Sequence, residues 1–136
     1  MRKVSVLIAI CMLAAVALIA QSQRDSDPIM KEVGPANAAL GMAVTGNVAA
    51  DIATHAGKLE GLFKEMEAFM KSKNKPDAVT IAQEAAAAAG EAAKAAKAGN
   101  LDAAKEAAAR VGKTCKGCHM NYREKDPTTG QFKFKG

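Results

Sequence analysis

The sequence predicts an all-α fold, an antiparallel bundle of four helices. Three observations carry that expectation. Apolar residues recur at steps of three and four through four successive segments, the segments are separated by short clusters of helix breakers, and no alternating strand pattern occurs before the last few residues. Each segment then has its own signature.

The first opens at Asp27 and Pro28, where an aspartate can cap free amides and proline is tolerated in the first turn. Ile29, Val33, Ala36, Leu40 and Ala43 follow with helical spacing, and Pro35 after Gly34 predicts a kink within one helix. The second segment, from about Asn47, carries the clearest stripe: Val48, Ile52, His55, Leu59, Leu62, Met66 and Phe69, ending at Asn74, Lys75 and Pro76. Asp77 is the expected cap of the third, whose seam is Val79, Ala82, Ala86, Ala89, Ala93 and Ala96. So much alanine favours helix yet buries little area per residue, which fits either a solvated helix or a thin wall beside a flat ligand. After Gly99 and Asn100 the fourth segment runs through Leu101, Ala104, Ala108, Val111, Cys115, Cys118 and Tyr122. The tail from residue 127 to 136 departs from this pattern. Thr129 and Gly130 mark a turn, Gln131 to Phe134 alternate, and a frayed terminus is expected.

Ahead of the helices, Arg2 and Lys3 precede an uncharged stretch from Val4 to Ala20 with small residues at its exit. Residues 1–22 therefore read as a secretory signal peptide, cleaved after Ala20 or Ser22, with 23–126 as the folded domain. The competing reading is a retained anchor, since a stretch of about 17 apolar residues lies at the lower limit of a spanning helix. Once cleaved, the chain would have no stable membrane association. Cys11 lies inside the apolar run and would leave with it.

The formal charge is +5, spread along the chain, and removing Arg2 and Lys3 lowers it. With few aromatics and no basic block interleaved with them, a nucleic-acid surface is not expected. No catalytic acid and base pair or nucleophile with a positioned base stands out, so an enzyme is not expected.

The chemistry concentrates in TCKGCHMNYREK, residues 114 to 125. Cys115, Cys118 and His119 stand at relative positions 1, 4 and 5 of a helical seam, so all three share one face. Structural zinc would need a second ligand pair and finds only the distant His55. A thioredoxin-type redox pair belongs at a helix start after a strand, and Cys115 instead lies deep in a helix. A disulfide across one helical turn meets its geometry poorly. The spacing C-x-x-C-H is the attachment signature of c-type haem: two thiols fasten the group and the adjacent imidazole coordinates iron. One covalently held haem c per chain, in the core of the bundle, is the expectation, and such attachment outside the cytoplasm agrees with an export signal and a periplasmic location.

VGKTCKGCHMNYREK, placed in the last helix, together with IMKEVGPANAALG in the first, resembles the class II cytochromes c, the cytochrome c-prime family and its low-spin relatives. The resemblance covers about Ile29 to Lys125. It implies a four-helix bundle, often dimeric, with haem thiols Cys115 and Cys118, proximal ligand His119 and, in low-spin members, a methionine sixth ligand at the position of Met30. High-spin members often carry an arginine one turn earlier, where this chain has Ser26. They keep an open iron face for nitric oxide or carbon monoxide, and some carry methionine at the same place. Core filling is the ordinary role of a lone helical methionine. His55, on the apolar stripe, is the alternative iron ligand. Arg123 would sit near His119 or a haem propionate. The expected function is electron transfer, with His119 and Met30 on iron and lysines such as Lys113, Lys116 and Lys125 steering an acidic redox partner; the alternative is gas binding.

Overall fold

The computed structural model describes residues 25–136, so the expected signal peptide (1–22) and its expected cleavage after Ala20 or Ser22 lie outside the described residues. Four helices form in order: α1 (Ser26–Gly46), α2 (Ala49–Ser72), α3 (Pro76–Lys97) and α4 (Leu101–Tyr122). A hairpin of β1 (Arg123–Lys125) and β2 (Phe132–Phe134) follows. Joints of two or three residues force consecutive helices to run antiparallel. α2 packs along α1 and α3, and α3 along α4, while α1 and α4 meet only sparingly. The ring of helices therefore has one open seam.

In α1 the expected residues Ile29, Val33, Ala36, Leu40 and Ala43 are the buried ones. The helix runs through Pro35 as one element, and Gly34 and Pro35 are both exposed. It ends at Asn47 in the left-handed region, φ 57°, a conformation asparagine tolerates, with the Val48 amide bonded to the Ala43 carbonyl at 3.0 Å. Asp27 lies inside the first turn rather than at the cap, which falls on Asp25 with no side-chain bond. Asp77 is likewise in the first turn of α3, because the helix begins with Pro76 at its first position. An acid there still meets the positive end of the helix dipole.

α2 buries more than a two-residue stripe because it is held between two neighbours. Ala56, Phe63 and Met70 are buried beside Ile52, Leu59, Leu62, Met66 and Phe69. Val48 caps this helix and is exposed, and His55 is half-buried. In α3 nine alanines, from Ala78 to Ala96, are buried, so this helix is a thin inner wall and not a solvated one. Its closeness to α2 shows at Gly90, where a Cβ would stand 3.1 Å from the Glu60 carboxyl group.

α4 is capped by Asn100, whose side chain accepts from the Ala103 amide at 3.1 Å. Ala104, Ala107 and Val111 are buried, but from Thr114 onward no residue of the helix is, so its second half borders open volume. Nothing polar is buried among the described residues. The core holds few large side chains, with Ile29, Ile52, Leu59 and Val111 the largest fully enclosed.

The tail is not frayed. Arg123 pairs with Phe134, Glu124 with Lys133 and Lys125 with Phe132 in antiparallel register. Asp126 organises the turn, its carboxylate accepting from the Thr128 and Thr129 amides at 2.8 and 3.0 Å, and Gly130 supplies the positive φ of 70°. The Lys135 amide bonds the Tyr122 carbonyl at 2.8 Å, and the Phe134 ring meets Phe69 edge-on at 5.2 Å and lies parallel to Tyr122 at 6.3 Å. These contacts fold the hairpin back onto the bundle.

Candidate functional site

The open seam between α1 and α4 deepens into a cavity of about 550 Å³, within the ~300–1,000 Å³ range of cofactor sites. α1 contributes Met30, Lys31 and Gly34; α2 contributes Phe63, Met66 and Met70; α3 contributes Ile81, Ala82 and Ala85. Cys115, Cys118, His119 and Tyr122 enter from α4, with Arg123 at its end, and the hairpin closes one side with Gln131 to Phe134. Apolar side chains make most of the wall.

The helical repeat explains the clustering on α4. Steps of three, one and three from Cys115 through Cys118 and His119 to Tyr122 keep the side chains on one face, which is the face turned to the hollow. Both thiols are free and half-buried. Burial pushes the Cys115 thiol up, with the neighbouring Cys118 adding to it, and burial alone pushes up Cys118. Burial, and then the charge of Arg123, push the His119 imidazole down. The thiols are thus held protonated at neutral pH and the imidazole neutral, the form that ligates metal. The Arg123 Nη1 lies 3.4 Å from His119 Nδ1, and the Arg123 amide donates to the His119 carbonyl.

Met30, Cys115, Cys118, His119 and Arg123 therefore line one cavity. His55 does not line it: it stands two turns before Phe63, about 12 Å along the α2 axis. Among the described residues no group of three or more His, Cys, Asp or Glu side chains converges to hold a bare metal ion. Sequence reasoning missed Phe63 and Met70, one turn beyond seam residues Leu59 and Met66, and the contribution of Phe132 and Phe134. The signal for the last two was the turn at Thr129 and Gly130 before an alternating stretch.

The donor set suits an iron porphyrin attached through thioethers: two thiols and an imidazole on one helix face, beside a largely apolar hollow that Met30 also lines. Cys115, Cys118 and His119 could hold such a group. No curated protein and no solved structure matches the chain. A family model described as Cytochrome C' matches residues 20–123, ending at the first residue of the hairpin. The chain belongs to the Cytochrome C' family of c-type haem proteins.

Proposed function

We propose that the protein is a periplasmic, monohaem c-type electron carrier, with Cys115 and Cys118 fastening the haem and His119 and Met30 as axial ligands. The observation that carries this reading is the placing of the Met30 thioether in the wall of the cavity that receives His119, on the helix across the seam. When bound, haem c supplies the one-electron couple. Cys115 and Cys118 anchor it to α4, so that its position relative to His119 is set by the helix backbone. His119 stays neutral through burial, ready to ligate. A thioether opposite an imidazole favours the reduced state and raises the potential. With both ligands supplied by the protein, the ligand set would not need to change on electron transfer, and Phe63, Met66, Met70 and Ile81 would give the group an apolar wall.

Lys31, Arg123 and Lys133 stand at the cavity edge, with side chains in or near solvent. Lys31 and Arg123 would attract an acidic redox partner, a steering effect that weakens with salt, whereas Lys133 is paired with Glu124 and Asp126. No helix among the described residues is long and apolar enough to cross a membrane.

One observation favours a second reading, the binding of a small gas. Gly34, a turn after Met30 on the cavity wall, has open space beside it, room for the Met30 side chain to swing aside. Protein matured in a host that attaches haem separates the two. Sharp alpha and beta bands in the ferrous state and a methionine-to-iron charge-transfer band that Met30→Ala abolishes are expected. A high-spin spectrum indifferent to that substitution would transfer the assignment to gas binding, and colourless protein of unmodified mass would end both readings.

A further inference from the structure

The hairpin lies almost wholly beyond the region that matches the family, and it brings a ring to the site. Phe132 stacks on Arg123, the guanidinium carbon 3.5 Å from the ring centroid. The strand register explains the contact. Arg123 and Lys125 share one face of β1, their partners Phe134 and Phe132 share the same face of β2, and Arg123 and Phe132 are diagonal neighbours on it. Phe134 seats that face against Phe69 and Tyr122, so Phe132 is carried on a fastened strand. Phe132 itself is 54 % exposed, little of it serves the core, and the guanidinium covers one of its faces. The same guanidinium also reaches His119, its Nη1 3.4 Å from Nδ1.

Resting on the assignment of His119 as an axial ligand, but on neither choice of sixth ligand, we infer that Phe132 is a positioning residue that holds the Arg123 guanidinium beside the His119 ring. An arginine at a helix end has many rotamers open to water, and a cation–π contact selects among them. A positive charge kept next to the axial imidazole disfavours the oxidised, more positive iron. Phe132 would therefore raise the reduction potential without touching the haem, acting through Arg123.

The test uses the haem-loaded protein and four variants. Phe132→Leu keeps apolar bulk and removes the ring face; it is expected to lower the midpoint potential and to remove the ring-current shift of the Arg123 side-chain protons in the nuclear magnetic resonance spectrum. Phe132→Tyr is expected to restore both. Arg123→Leu is expected to lower the potential at least as far, and Phe132→Leu added to it to cause no further fall, because the ring acts through the charge it holds. An unchanged potential in pigmented Phe132→Leu, or a fall that adds to that of Arg123→Leu, would overturn this inference and leave the haem assignment standing. Protein that takes up no haem would overturn both.

Discussion

Gly34 occupies a position on α1 where a side chain would point into unfilled space, with no atom within 4 Å of a built Cβ. The same is true of exposed Gly57 on α2, but Gly57 is not part of the cavity wall. A mid-helix glycine costs roughly 0.5–1 kcal/mol relative to alanine. Gly57→Ala should therefore stabilise the protein by about that amount with or without haem. Gly34→Ala should do the same only in the haem-free chain, since with a planar group in the cavity the added methyl takes up space beside Met30. Urea unfolding of both variants, loaded and empty, reads the difference directly. Equal gains for Gly34→Ala in both forms would mean that nothing occupies that side of the cavity.

At the level of elements, the hairpin has its own pH dependence. Asp126 titrates at about 2, below its usual 3.8, chiefly because the Thr129 and Thr128 amides and then Lys133 stabilise the carboxylate. A lowered folded pKa means that this contribution is complete above the ordinary carboxylate value and is lost as pH falls through about 2. The amide resonances of Thr128 and Thr129 should move in that acid window, and Asp126→Asn should flatten the response. Helix periodicity made much of the remaining architecture legible. Five buried residues of α1 were readable from their spacing, because a helix with one flanking seam buries one stripe. It was less informative for α2 and α3, where contact on two sides widens the buried arc to include Phe63, Met70 and extra alanines. Caps were misplaced because an acid next to proline looks alike at the cap and within the first turn. His55 shows a different limit: periodicity gives the angle of a side chain around a helix axis but not whether the cavity extends to its height. Cys115, Cys118 and His119 were legible because one helix holds all three, whereas the stack of Arg123 on Phe132 depends on a strand register that no local pattern specifies.

Over the whole molecule, the sparse contact between α1 and α4 defines what the bundle lacks when empty. α2 and α3 are held closely by small side chains, while α1 has α2 as its main support. Haem bridging α4 to Met30 would give α1 a second support. Hydrogen exchange of backbone amides is the appropriate measurement, since it resolves local opening. In the haem-free chain α1 amides near Met30 should exchange markedly faster than those of α2 and α3, and loading should slow them preferentially. Uniform slowing across all helices would argue that the group acts on the bundle as a whole.

The short joints between helices have a bearing on how quickly the bundle can assemble. Most of its tertiary pairing links chain neighbours, α1 with α2, α2 with α3 and α3 with α4, and such low contact order goes with rapid folding. The long-distance step, joining the first helix to the last, is the one this polypeptide leaves largely undone. Collapse therefore need not wait for the chain's two ends to find each other, and the doorway for a bulky guest stays ajar until the thiols of the final helix are in place.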